Sequence, residues 1–178
     1  MGKIEIITGP MFSGKTTELM RRLERFSFAG RKVVLFKPEL DQRTTRRISV
    51  ASARQEYAIE VLTLYKPVGT DADVIAIDEG QFFPPWIVDY CQSLKDQGKT
   101  VIICGLDMDA LRQPFGMMGQ LMAIADSVLK LTAVCACGED AAYTRLKGEY
   151  NWEKGNLILI GDTERFVARC SRCYSRGA

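Results

Sequence analysis

The chain has 178 residues, with 24 Lys and Arg against 22 Asp and Glu, a net charge of +2, and 47% hydrophobic residues. This composition excludes a disordered or fibrous chain, and so balanced a charge argues against a dedicated binder of nucleic acid or another polyanion. At this length a chain buries roughly 70% of the surface its unfolded form exposes, so one domain, alone or with a small appendage, needs no disulfide staples. No apolar run approaches the roughly 20 residues that cross a bilayer. Met1-Gly2-Lys3-Ile4-Glu5 enters a strand pattern with no secretion signal, which predicts a cytoplasmic protein that leaves membranes alone. Histidine is absent. Any general base is then a carboxylate, Lys, Tyr or Cys, and any zinc site leans on thiolates.

In chain order, residues 4–8 read as a strand, 16–29 as a helix ending at Gly30, and 32–37 as a second strand. Residues 74–78 form a third strand, 84–97 a helix ending at Gly98, and 100–105 a fourth strand. A helix over 119–127 and a strand over 128–131 complete the series. Val74-Ile75-Ala76-Ile77 and Val101-Ile102-Ile103-Cys104 are continuous apolar runs, as strands buried on both faces require. The alternation predicts an α/β fold, a parallel sheet covered by helices. Past about residue 133 the βα rhythm gives way to four cysteines and Gly-containing turns. The expected division is a nucleotide-binding α/β domain over 1–133 and a small zinc-binding lobe over 134–178.

Between the first strand and first helix stands Gly9-Pro10-Met11-Phe12-Ser13-Gly14-Lys15-Thr16, which fits G-x-x-x-x-G-K-S/T. Glycines let consecutive backbone N–H groups face a phosphate, and the helix N-terminus reinforces them. Lys15 can reach β- and γ-phosphates, and the Thr16 hydroxyl can ligate Mg²⁺. The flanking strand and helix favour this P-loop reading over an ordinary Gly-rich turn. Asp78 closes the third strand, where ligands bind in open α/β sheets, and so becomes the holder of Mg²⁺, directly or through water. Glu79 follows, and Gly80 lets the chain turn so that both carboxylates face the site. Glu79 can then take a proton from an attacking hydroxyl or water; the alternative is that it opens a solvated loop.

Cys135-Ala136-Cys137 and Cys170-Ser171-Arg172-Cys173 are two close thiol pairs, suited to tetrahedral zinc. Disulfides or unrelated buried thiols are the competing readings. With four protein ligands the metal has no open position, so its role would be structural. Cys91 and Cys104 are expected in the core, as are Trp86 and Trp152. Of Met11, Met117, Met118 and Met122, only Met11 has motif support as a pocket residue.

GPMFSGKTTELMRR, VIAIDEGQFF, GLDMDALRQPFG, KLTAVCAC and RCSRCY together resemble the thymidine kinases of the compact, zinc-containing type found in animal cytosol, poxviruses, bacteria and phages. The resemblance runs over nearly the whole chain in the expected order. It implies a P-loop fold with a C-terminal zinc lobe and lasso loop, and transfer of the ATP γ-phosphate to the thymidine 5′-hydroxyl with Mg²⁺. It further implies a homotetramer and feedback inhibition by dTTP. Lys15 and Thr16 then match the family's phosphate and magnesium contacts, Gln81 falls with the nucleotide contacts, and Glu79 matches the proposed base beside Asp78. Asp41 and Arg43 match a D-x-R in which the Asp contacts the sugar 3′-hydroxyl and the Arg lies near the phosphates. Met11, Phe82, Leu106 and Phe115 match apolar walls of the thymine pocket. The stretch 145–169 resembles the lasso over the nucleoside, with Thr144, Leu157, Leu159, Gly161 and Phe166 at base-contacting positions.

Three departures stand out. The family usually has an aromatic ring where Ala110 sits and Tyr where Phe166 stands, changes that would widen or re-tune the nucleoside pocket and admit deoxyuridine. The single residue between Cys135 and Cys137 resembles bacterial and phage members more than animal ones. A zinc lobe anchoring both ends of the lasso would serve catalysis indirectly, by helping to exclude water. The alternative function is a zinc-containing P-loop ATPase acting on nucleic acid or protein, with the Asp-Glu pair activating water.

Overall fold

The computed structural model describes residues 1–38, 47–52, 55–147 and 165–175. Seven strands form the main sheet: β1 (Lys3–Thr8), β2 (Val33–Lys37), β3 (Arg47–Ser52), β4 (Gln55–Thr63), β5 (Val74–Ile77), β6 (Thr100–Gly105) and β7 (Ser127–Lys130). Their order is β3-β4-β2-β5-β6-β1-β7. Six strands are parallel, and β3 pairs antiparallel with β4 at one edge. The expected α/β architecture therefore holds.

Burial on both faces follows from strand alternation. Ile4, Ile6, Ile75, Ile77, Val101 and Ile103 point to one face, where they meet α2 (Trp86–Asp96) and α3 (Met118–Ile124) through Ile87, Cys91, Leu94, Met118 and Leu121. Ile7, Val74, Ala76, Ile102 and Cys104 point to the other, against Leu19 and Leu23 of α1 (Lys15–Phe28). Each strand is thus apolar at consecutive positions because both neighbours of the sheet are helices. Cys91 and Cys104 lie in these cores, at 0% and 1% exposure. Trp86 packs edge-on against Phe83 and Tyr90. Met117 and Met122 are half-buried against the same cluster and Met118 is fully buried, so this trio serves packing.

Helix and strand ends differ from the sequence reading by one to three residues. The largest shift is at α3, which stops at Ile124 rather than 127, and β5 stops one residue early, at Ile77. The Asp78 N–H still bonds the Phe36 carbonyl at 2.9 Å, but its carboxylate takes the Glu79 N–H at 3.0 Å and Glu79 turns into the left-handed region, which ends the strand. The β3–β4 hairpin was not anticipated, although R-I-S-V-A-S and Q-E-Y-A-I-E-V carry the alternation of an edge pair.

Beyond β7 lie two small antiparallel sheets: β8 (Ala133–Val134) with β9 (Asp140–Ala141), and β10 (Tyr143–Leu146) with β11 (Phe166–Arg169), followed by α4 (Ser171–Ser175). Ala133, Cys135, Ala141, Ala168 and Cys170 form a buried cluster of their own. Ile75→Ala, at a site with no exposure in the central sheet, is expected to lower the unfolding free energy by about 3 kcal/mol, read from the urea midpoint at unchanged m.

Candidate functional site

The carboxyl ends of β1, β5 and β6 lie side by side, with Thr8 opposite Gly105 and Ile77 opposite Ile103. Every loop that leaves those ends therefore converges on one edge, the usual location of ligands in such sheets. Gly9 turns out of β1 with φ +139°, and a Cβ there would fall 2.3 Å from the Leu131 carbonyl oxygen. Gly14 caps α1 in the left-handed region at φ 82°. Between them the loop is drawn around its own Pro10 carbonyl, which accepts the Ser13 hydroxyl at 2.8 Å and the Lys15 ammonium at 2.7 Å. Burial pushes the Lys15 ammonium down, opposed by the carboxylates of Glu79, Asp78 and Asp107. A phosphate entering the loop offers Lys15 a charged acceptor in place of that neutral carbonyl.

Asp78 is 4% exposed. Its second oxygen faces the Lys37 ammonium at 3.5 Å. Burial raises the neighbouring Cys104 thiol, and a hydrogen bond with Asp78 adds to that. Glu79, at φ 55° and ψ 46°, occupies a backbone region that costs a non-glycine residue about 1–3 kcal/mol. Its carboxylate is held by the Gln81 side-chain amide at 2.6 Å, and the Gln81 oxygen accepts the Leu106 N–H at 3.0 Å. Gln81 is thus directed at Glu79 and Leu106, in a niche where a Cβ on Gly105 would lie 2.6 Å from its Oε1.

Phe82 and Phe115 meet edge-to-face at 5.5 Å. Met11 donates its N–H to the Thr144 hydroxyl at 2.9 Å, which ties the phosphate loop to β10. Phe166 opens β11, 9% exposed. Asp41, Arg43, Leu157, Leu159 and Gly161 lie outside the described residues, as do Trp152 and most of the lasso stretch.

The sulfurs of Cys135, Cys137, Cys170 and Cys173 all lie within 4.8 Å of one another. Cys137 and Cys170 are 3.7 Å apart, close to the roughly 3.8 Å edge of a tetrahedron with Zn–S bonds of about 2.3 Å. A tight turn, Gly138 N–H to the Cys135 carbonyl at 2.8 Å, forms one knuckle, and the Cys173 N–H bonds to the Cys170 sulfur at 3.4 Å in the other. Backbone N–H groups of Cys137 and Cys170 pull the Cys135 thiol down to about 6, while crowding by the other sulfurs pushes Cys173 up to about 12. Four thiolates so close require a cation to ionise together. The donor set fits a metal such as zinc.

These features have counterparts in known proteins. A family model described as thymidine kinase matches residues 2–174. The chain belongs to the thymidine kinase family. The thymidine kinase of Porphyromonas gingivalis is 42% identical, over 98% of this chain and 86% of that protein. The one from Bacteroides thetaiotaomicron is 39% identical, over 98% and 88%. Among solved structures, domain III of the Thermotoga maritima replication initiation protein DnaA covers 73% of this chain and 55% of that one at 16% identity, with a TM-score of 0.42, a likeness too distant to bear on activity. The assignment as a thymidine kinase disfavours the reading as a P-loop ATPase acting on nucleic acid or protein.

Several groups at this kinase's site were not singled out from sequence. Lys37 ends β2 as Asp78 follows β5, so the rule that found the aspartate also covers the lysine. Asp107, 6% exposed, bonds the Thr8 hydroxyl at 3.2 Å and pairs with Lys130 at 2.6 Å, bracing the loop after β6 against β1 and β7. Gly116, at φ 52°, passes so near Gln81 that a Cβ would lie 2.0 Å from its carbonyl oxygen. Gly116→Ala is expected to lose at least about 2 kcal/mol of stability in chemical denaturation, since both the backbone angle and the contact oppose it.

Proposed function

We propose that this thymidine kinase transfers the γ-phosphoryl group of ATP to the 5′-hydroxyl of thymidine, giving dTMP and ADP. The observation that carries the reading is the convergence of Lys15, Asp78 and the Gln81-held Glu79 on one sheet edge, beside the paired rings of Phe82 and Phe115. Phosphoryl transfer asks mainly for alignment and charge neutralisation. The loop amides of 9–14 and the Lys15 ammonium would grip the phosphates. Thr16 and Asp78 would hold Mg²⁺, which supplies further neutralisation of the β- and γ-oxygens. Glu79 would accept the proton of the sugar hydroxyl as its oxygen attacks phosphorus. The Gln81 amide donates to one Glu79 oxygen at 2.6 Å, which fixes the carboxylate's orientation.

Leu106, Phe82, Phe115 and Met11 would wall the base, with Thr144 and Phe166 beneath them. Asp41 would address the 3′-hydroxyl and Arg43 the phosphates, and the lasso with Leu157, Leu159 and Gly161 would close the site against water. With Ala110 and Phe166 in place of a ring and a tyrosine, deoxyuridine joins thymidine as a candidate substrate. The four cysteines would hold a structural zinc, with residues 134–178 as its lobe beside the 1–133 domain.

The remaining features of this reading are a homotetramer, cytoplasmic residence and inhibition by dTTP. Residues Ser127–Lys130 are exposed throughout, with Val128 at 46% and Leu129 at 36%, so the β7 edge is available for pairing with a second copy. Among the described residues no helix is long and apolar enough to cross a membrane.

The test is direct: purified protein with ATP, Mg²⁺ and labelled thymidine yields labelled dTMP, while ATP hydrolysis without nucleoside phosphorylation would defeat the reading. Glu79→Gln should slow transfer by about 10²-fold or more with ATP affinity nearly unchanged, and near-normal turnover removes Glu79 from the base role. Elemental analysis should find zinc at about one per chain, and its verified removal should depress activity; full activity of the metal-free protein would detach the lobe from catalysis.

A further inference from the structure

The loop after β6, residues 106–116, is built around Asp109. Its carboxylate takes the N–H groups of Leu111 and Gln113 at 2.8 and 2.9 Å, and its backbone exchanges hydrogen bonds with Gln113 and Arg112. At the tip Arg112 sits at φ 63°, an uncommon conformation for a long side chain. Its guanidinium lies 4.6 Å from the centre of the Tyr174 ring and 5.5 Å from that of Tyr143, and the two rings lie 5.5 Å apart. The Arg145 guanidinium lies 6.0 Å from Tyr174 on the same assembly. The Tyr174 hydroxyl donates to the Ala110 carbonyl at 2.6 Å. Tyr174 directly follows Cys173, and its own N–H bonds to the Cys170 carbonyl at 2.9 Å.

We propose that Tyr174, with Arg112 and Tyr143, is a positioning device that fixes the 106–116 loop to the cysteine lobe and thereby sets the nucleoside wall formed by Leu106 and Phe115. The inference rests on the reading of those two residues as walls of the nucleoside pocket. Because the bond goes to a backbone carbonyl, it forms whatever side chain stands at 110, so loss of the family's ring there leaves the tether intact. Adjacent positions of β10 serve both ends of the site: Tyr143 joins the stack, and Thr144 accepts the Met11 N–H of the phosphate loop. One short strand therefore relates the base wall to the phosphate loop, and the cysteine knuckle next to Tyr174 sets where that strand's partner helix begins.

Tyr174→Phe removes a single hydroxyl and keeps the stacked ring. It is expected to raise the thymidine KM about fivefold, in line with one lost half-buried hydrogen bond, while kcat stays within about twofold. The ATP KM and the bound-metal content should remain those of the parent. Arg112→Ala should do the same by dissolving the stack, and Arg112→Lys should recover part of the effect by restoring a cation over the rings. Hydrogen exchange reads the tether without catalysis: amides of 106–116 should exchange faster in Tyr174→Phe, with those of β5 unchanged. Unaltered exchange in that loop, or an unaltered thymidine KM in an active parent background, overturns the proposal. A fall in kcat together with metal loss assigns Tyr174 to lobe stability alone and overturns it too. A parent protein that fails to phosphorylate thymidine overturns instead the reading of the walls on which the proposal rests.

Discussion

A buried ammonium facing two carboxylates across a sheet edge governs this molecule. Lys15 starts α1, while Asp78 and Glu79 follow β5, and they meet because β1 and β5 both flank β6 in parallel. Everything that brings those strands into register serves that meeting: the apolar runs, the helices on both faces and the glycines that turn each loop. The Lys15 ammonium donates to the Pro10 carbonyl and Asp78 faces Lys37, so both charges have polar partners inside the protein. Such matching matters because an unpaired charge is costly at these levels of burial.

The same edge explains why the small lobe belongs to the enzyme rather than trailing behind it. Among the described residues, one hydrogen bond runs from Tyr174 of the lobe to Ala110 in the loop after β6, and another joins Thr144 to Met11 in the loop after β1. Metal-type knuckles are rigid, and rigidity at the root of a two-stranded ribbon is what holds neighbouring loops apart at a fixed span. The cysteines stand at the root of this ribbon, with Cys170 between β11 and α4.

Much of this could be read from sequence, for identifiable reasons. Continuous apolar runs located β5 and β6 because both faces are covered, and spacing located the phosphate loop and the thiol pairs because each obeys a local geometric rule. The β3–β4 hairpin alternates apolar Tyr57, Ile59 and Val61 with Glu56, Ala58 and Glu60, a half-polar edge pattern far weaker than the continuous apolar runs of β5 and β6. Lys37 stands at a strand's carboxyl end and was within reach of the rule that found Asp78, whereas Asp107 escaped because its significance depends on β1 and β7 lying beside its loop, a long-range fact that no local pattern contains. The role of Gln81 as a partner of Glu79 and Leu106 likewise needed the approach of β6 and its loop. Tyr174 reads as the tail of a cysteine motif until the fold lays it against Ala110.

The left-handed backbone at Glu79 has an evolutionary consequence. Glycine would relax that position at no steric penalty, so on the proposed role of Glu79 the sequence keeps a less durable protein for the sake of a proton-accepting side chain. β-Branched residues are shut out there by their own shape. If Glu79 is the proposed base, drift at this codon is squeezed between a fold that favours having no side chain at all and a chemistry that demands an acidic one.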